Sequence, residues 1–185
     1  MKIEIISGSP RVNSTTNRVA LHLEKILKAN SDHEVGVIDM RDHELMPMQN
    51  VFVSVEATPE PYRELSRRMF EADAFILVTP EYNGSYSPAM KNMLDHFPKQ
   101  HHKTFGLVTA SPGAMGGMRA AMQLQQLVFA LFGIGSPYML VVPGVDKKFD
   151  VEGNLLDESF QKSVDIFVKE FLWLSEKVVT EKVEA

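Results

Sequence analysis

The chain has no cysteine and a single tryptophan among its 185 residues. Without thiols it can form no disulfide, offer no thiol nucleophile, ligate no cluster through sulfur and carry no dithiol redox centre. The same absence fits a reducing, cytoplasmic setting. No apolar run reaches the ~18 residues of a membrane span, so no membrane partner is expected. The first apolar stretch opens at Ile3, with no charged segment and long apolar core of a signal peptide before it. Positive charge is also in short supply. Nineteen Lys and Arg stand against 24 Asp and Glu, a net charge of −5, which argues against a nucleic-acid partner bound through a basic face.

Several chemical signatures are missing too. His22, His33, His43 and His96 are scattered without metal-ligand spacing, and His101 and His102 are adjacent and expected in a solvated turn. No metal site is expected. The eleven Met, several within Met40 to Met48 and Met115 to Met122, read as core or interface filler. There is no G-x-S-x-G elbow, so a hydrolase is disfavoured. There is neither a Walker A loop nor a G-x-G-x-x-G turn.

What is present is an alternation of strand-like and helix-like segments, the pattern of βαβ units and a parallel sheet. Five strands are expected at Lys2–Ser7, Glu34–Asp39, Ala74–Thr79, Lys103–Ala110 and Pro137–Val142. Ala74 to Val78 (A-F-I-L-V) is apolar throughout, as a strand covered on both faces must be. Helices are expected over about Asn17–Ala29, after a Thr58 cap with Pro59 in the first turn, from Ser87 and Pro88 to near Phe97, over about Gly117–Phe132 and over about Asp157–Val179. Met40 to Ala57 is a long connection of the kind that covers a site or meets a partner, and Val145 to Leu156 is irregular. The tail after Val179 is expected to fray. The length predicts one domain, 1–185. Its expected fold is an α/β three-layer sandwich, a five-stranded parallel sheet in the flavodoxin-like order 2-1-3-4-5 with helices on both faces. That order sets strands one and three side by side at the topological switch point, where ligands bind beyond the carboxyl ends of the strands.

Two loops meet at that point. The first, G-S-P-R-V-N-S-T-T-N from Gly8 to Asn17, joins the first strand to the first helix. Its hydroxyls (Ser9, Ser14, Thr15, Thr16), the Asn17 amide and the Arg11 guanidinium are donors suited to a phosphate at a helix N-terminus. The same residues also suit an ordinary polar turn with capping hydroxyls. The second loop, P-E-Y-N-G-S-Y-S-P from Pro80 to Pro88, follows the third strand. Pro80 and Tyr82 offer flat or rigid surfaces, and Asn83–Gly84 can turn tightly with N–H groups aimed at ring heteroatoms. Glu81 can pair with Lys91 or Arg119 or accept from backbone, while Ser87 and Pro88 cap the next helix. Lys91, Asn92 and Asp95 on that helix read as a solvated face or a helix–helix contact. A third loop, S-P-G-A-M-G-G-M-R from Ser111 to Arg119, has glycines that let backbone approach a planar ligand, and equally suits a flexible turn. A phosphate site beside a flat-ring site points to a mononucleotide.

These three motifs resemble the NADPH-dependent FMN reductases, a family that includes quinone, azo-dye and chromate reductases. The resemblance spans nearly the whole chain and is most specific in P-E-Y-N-G-S-Y-S-P. It implies FMN, with phosphate contacts from Ser9, Arg11, Ser14, Thr16 and Asn17. It implies that Pro80, Glu81, Tyr82, Asn83 and Gly84 line the isoalloxazine, with Ser111, Gly113 and Gly117 at the ring's other edge. The family spacing puts Asn two residues after the Ser; here Thr16 holds that place and Asn17 follows. The resemblance further implies NADPH or NADH as hydride donor, a small-molecule electron acceptor, and a homodimer or homotetramer with the flavin near an interface. The run A-A-M-Q-L-Q-Q-L-V-F-A-L-F, apolar on most sides, fits burial against both the sheet and a partner. No catalytic side chain is expected, because the flavin carries the chemistry. The rival reading is a flavodoxin-like electron carrier or redox-responsive FMN-binding protein without nicotinamide turnover.

Overall fold

A computed structural model describes residues 1–180. The fraying expected beyond Val179 falls, past Thr180, outside those residues. In chain order the elements are β1 (Lys2–Ser7), α1 (Thr15–Asn30), β2 (Glu34–Asp39), a 3-10 turn (Glu60–Tyr62) leading into α2 (Arg63–Glu71), β3 (Ala74–Thr79), α3 (Pro88–Asp95), β4 (Thr104–Ser111), α4 (Met118–Ala130), β5 (Ile134–Gly135), β6 (Leu140–Pro143), α5 (Val145–Lys148), and a 3-10 turn (Glu158–Phe160) leading into α6 (Gln161–Thr180).

All strand pairs are parallel and the sheet runs β2-β1-β3-β4-β5, with β6 also pairing to β4. The expected order therefore holds, with one change. The fifth position is shared by two short strands, β5 against Thr104–Phe105 and β6 against Val108–Ser111. Pro137, placed at the start of the predicted fifth strand, has no N–H to give the ladder, and the chain steps off β4 between Ser136 and Leu140.

Strand side chains alternate between two cores. Ile3, Ile5, Ala74, Ile76 and Val78 pack with Val19, Leu23 and Leu27 of α1 and Phe167 and Phe171 of α6. Ile6, Phe75 and Leu77 pack on the other face with Leu65 and Met69 of α2, Met90 and Met93 of α3, and Leu124 and Val128 of α4. β3 is buried at every position, as its unbroken apolar run demands. Glu4 is the buried charged residue of β1, and Arg68 of α2 meets it with a donor at 2.8 Å.

Two caps differ from expectation. Ser14 caps α1, two residues earlier than the Thr16–Asn17 boundary expected, by accepting from Asn17 N–H at 3.0 Å. Thr58 caps nothing; its hydroxyl donates to Ser54 O at 2.7 Å and lies 2.8 Å from Ser66 Oγ, closing the end of the long connection onto α2. Ser87 caps α3 as expected, accepting from Met90 N–H at 3.1 Å. Part of the irregular 145–156 stretch is the short helix α5.

The Met40 to Ala57 connection is pinned rather than loose. Asn92 of α3 accepts from Met48 N–H at 2.9 Å and donates to Leu45 and Met46 carbonyls at 3.2 and 3.0 Å. Phe52 is buried among Tyr62, His96 and Phe97. Asn92 thus serves the connection, while Lys91 pairs with Asp95 at 2.6 Å on the helix face. His101 and His102 are exposed in a turn, as expected.

Candidate active site

The carboxyl ends of β1, β3 and β4 open into a crevice of about 290 Å³, near the low end of the ~300–1,000 Å³ usual for small-molecule sites. It is lined by Ser9, Arg11, Asn13, Ser14, Thr15, Thr16, Pro80, Glu81, Tyr82, Ala110, Ser111 and Pro112. Nine residues singled out in the sequence are thereby brought together: Ser9, Arg11, Ser14, Thr15, Thr16, Pro80, Glu81, Tyr82 and Ser111. Asn13 belongs to the same first loop and could have been taken from it. Ala110 and Pro112 carry no chemical signal, and only the strand register sets them there.

The first two loops are stitched to each other. Gly8 N–H donates to Val78 O of β3 at 2.8 Å, and the Ser87 hydroxyl donates to the Gly8 carbonyl. At one end of the crevice the hydroxyls of Ser9, Ser14, Thr15 and Thr16 gather around the start of α1, whose first-turn N–H groups have no partner within the helix. That is a phosphate-sized set of donors, reinforced by the helix dipole. The Arg11 guanidinium lies over the Tyr82 ring, 4.9 Å from its centroid.

Asn17 stands apart from the lining. With its amide oriented to satisfy every atom, Nδ2 donates to Asp39 Oδ2 (3.2 Å) and Ser7 Oγ (2.8 Å), and Oδ1 accepts from Arg41 Nη2 (2.7 Å). Arg41 also donates to Val12 O at 3.1 Å and is paired with Asp39. This bridge braces the first loop from the end of β2. The pairing was not foreseen, and its only sequence signal is D-M-R at a strand's carboxyl end.

In the second loop Tyr82 and Ser85 exchange backbone hydrogen bonds of 2.9 and 3.1 Å, closing a two-residue turn on Asn83 and Gly84. Both central residues have positive φ, 52° and 84°, which is the Asn-Gly type I′ geometry. The turn stands beside the lining rather than within it, as do Gly113 and Gly117. The Tyr82 hydroxyl is buried without a hydrogen-bond partner, a polar atom waiting for one. Burial pushes the Tyr86 phenol above its ordinary value, so it stays a neutral donor.

Glu81 takes the backbone option, with Arg119 as a loose second partner. Its Oε2 accepts from Arg119 N–H (3.1 Å) and Ala120 N–H (3.4 Å), and its Oε1 lies 3.7 Å from Arg119 Nη1. The N-cap residue of α4 is Gly117, φ 90°, which has no side chain to cap with, and a Cβ there would stand 3.0 Å from Thr109 Cβ. The carboxylate therefore does the capping across 38 residues of sequence and locks the second loop to the third. In that third loop Ser111 Oγ accepts from Gly113 N–H at 3.1 Å.

A donor-rich pocket continuous with a flat aromatic wall, at the switch point of a doubly wound sheet, defines a flavodoxin-like protein of mononucleotide-binding type. Residues 1–145 match the family described as NADPH-dependent FMN reductase, and the chain belongs to that family. It is 30% identical over 178 residues to the FMN-dependent NADPH-azoreductase of Staphylococcus aureus, spanning 93% of this chain and 94% of that one. Its fold is shared with the flavoenzyme NAD(P)H:(acceptor) oxidoreductase FerB of Paracoccus denitrificans (TM-score 0.80, 24% identity, 95% and 97% of the two chains). It is also shared with a flavodoxin from Pseudomonas aeruginosa (TM-score 0.59, 20% identity, 93% and 99%). Among the described residues no cluster of potential metal ligands occurs, and no helix is long and apolar enough to cross a membrane.

Proposed function

We propose that this chain, acting as a single domain, is an FMN-dependent oxidoreductase that moves two electrons from NADPH or NADH to a small acceptor. The acceptor is drawn from quinones, azo compounds, metal oxyanions and free flavin. The observation that carries the reading is the convergence of three loops on one crevice, with phosphate donors at the start of α1 and Pro80 and Tyr82 in the same wall. The donor set fits a mononucleotide: it is anion-seeking where α1 begins, and its buried Tyr82 hydroxyl lacks a partner.

In this reading Ser9, Arg11, Ser14 and Thr16, with the first-turn N–H groups, hold the phosphate. Asn17 braces that loop from below. Pro80 and Tyr82 face the ring, Asn83 and Gly84 offer N–H groups to its polar edge, and Ser111, Gly113 and Gly117 border the far side. Glu81 holds the second and third loops at a set spacing. Bound FMN supplies the hydride chemistry, so these residues bind, orient and exclude water and none acts as nucleophile or general acid.

We further infer a cytoplasmic protein that pairs with a second copy of itself. Met118, Met122, Phe129 and Phe132 are exposed at 40, 40, 78 and 58% along one stripe of α4 and its end. No charged residue occurs between Arg119 and Asp146. Apart from the Lys99 ammonium, which donates to the Ala130 carbonyl and lies 6.0 Å from the Phe132 ring centroid at one end, the stripe carries no charge of its own, which favours an isologous contact with its image.

The test is an anaerobic absorbance scan of FMN-loaded protein mixed with NADPH or NADH. Bleaching of the visible flavin band is the expected result. A flavin spectrum unmoved by both donors would sink the reductase reading and favour an electron carrier.

A further inference from the structure

We propose that Arg119 is a docking cation for a phosphate of the nicotinamide donor. The proposal deepens the reductase reading and rests on it. NADH and NADPH both carry a pyrophosphate, and NADPH carries a further 2′-phosphate. A chain of net charge −5 must draw that polyanion to the crevice.

The cations around the crevice are mostly committed. Arg11 lies over Tyr82 at the phosphate end. Arg41 is held by Asp39, the Val12 carbonyl and Asn17. Lys91 is held by Asp95 at 2.6 Å. Arg119 differs from all three. It stands in the first turn of α4, against the wall made by the second and third loops. Its side chain is 69% exposed and its guanidinium reaches Glu81 Oε1 only at 3.7 Å. An exposed pair at that distance contributes little, so the guanidinium keeps its donors for an incoming anion. The other Glu81 oxygen is occupied with the α4 backbone, which leaves that carboxylate partly neutralised.

The side chain runs beside the Asn83–Gly84 turn: a Cβ on Gly84 would sit 3.7 Å from Arg119 Cδ, at ordinary contact distance. An exposed planar fork beside a crevice, loosely held by one carboxylate, is the arrangement that grips a phosphate in bidentate fashion. Lys147 on α5 is also exposed but belongs to a different element, past β6, and serves as a charge-matched control.

The experiment uses FMN-loaded wild type, Arg119→Gln, Arg119→Lys and Lys147→Ala in anaerobic stopped-flow bleaching by NADPH and by NADH. Arg119→Gln is expected to raise the apparent donor Kd about 10- to 100-fold. The limiting bleaching rate and the FMN Kd stay unchanged, and Arg119→Lys recovers part of the loss. An equal rise for both donors assigns the pyrophosphate, and a rise confined to NADPH assigns the 2′-phosphate; either supports the proposal. It is overturned if neither donor's Kd moves, if Lys147→Ala moves it as far, or if the variants lose FMN or limiting rate instead. That last pattern would make Arg119 a structural partner of Glu81. Wild type that neither donor bleaches would overturn the reductase reading itself, an outcome separate from indifferent variants.

Discussion

Replacing Glu81 with alanine tests whether one side chain holds two loops together. The carboxylate accepts two backbone N–H groups at the start of α4, at 3.1 and 3.4 Å, and its side chain is 19% exposed. α4 has no other side-chain cap at its N-cap residue. Losing a helix cap costs about 1 kcal/mol, and a charged hydrogen bond to backbone is worth about 1.5–3 kcal/mol when well formed. The longer of the two bonds and the partial exposure bring the expectation to about 1–2 kcal/mol. For a chain of this size that corresponds to a melting temperature lower by roughly 2–8 °C. The assay is thermal unfolding of the FMN-free protein, so that flavin binding does not mask the effect, followed by a flavin titration. Glu81→Gln keeps an acceptor and loses the charge, and is expected to forfeit about half the effect. An unchanged melt for Glu81→Ala would refute the capping argument. Equal damage from Glu81→Gln and Glu81→Ala would assign the stabilisation to charge rather than to the hydrogen bonds.

Arg11→Ala is expected to weaken FMN binding by about 1.5–3 kcal/mol through loss of a charged phosphate contact, and an unchanged Kd by fluorescence titration would remove Arg11 from the phosphate site. His22 is 6% exposed, with Nδ1 3.0 Å from Gly153 O and Nε2 buried without a partner. Burial pushes its pKa below the ordinary value; the hydrogen bond to Gly153 opposes that shift, Lys25 adds to it and Asp165 opposes it. The unfolded chain therefore takes up this proton first as pH falls. Stability is full above about pH 6.5 and declines from there toward the lower folded value. Urea midpoints are expected to drop on acidification, and less so in His22→Gln. His43, also pushed down by burial, leaves a residual slope in that variant. An identical slope with and without His22 would contradict this. Phe129→Glu is expected to turn a dimer into a monomer by light scattering, since it puts a charge in the middle of the apolar α4 stripe; an unchanged mass would rule that face out.

Some of this protein is written in local pattern and some is not. The unbroken apolar run of β3 can only be a strand covered on both faces, and Ser87–Pro88 and Asn83–Gly84 have one comfortable backbone each. The strand order follows once the βαβ alternation is recognised, because right-handed crossovers leave few alternatives. Those features depend on neighbours within a few residues or on the hydrophobic period.

Other features needed partners brought in from far along the chain. Asn17 carries the same donors as its loop mates, yet its amide turns away from the crevice because Ser7, Asp39 and Arg41 satisfy it there. On sequence alone Glu81 could have met Lys91, Arg119 or backbone. The bare N-terminus of α4, where Gly117 cannot cap, settled it on backbone, with Arg119 as a loose second partner. Pro137 lies between the two short strands that share the fifth position, and its missing N–H matters only once β4 lies alongside. Which donor meets which acceptor is decided by distance in space, and residues 38 or 22 apart in sequence become neighbours only when the sheet has formed. The residues of the chain thus determined the layers, the strand order and the identity of the crevice loops. Tertiary packing decided which of those loop residues face the ligand and which hold the loops in place.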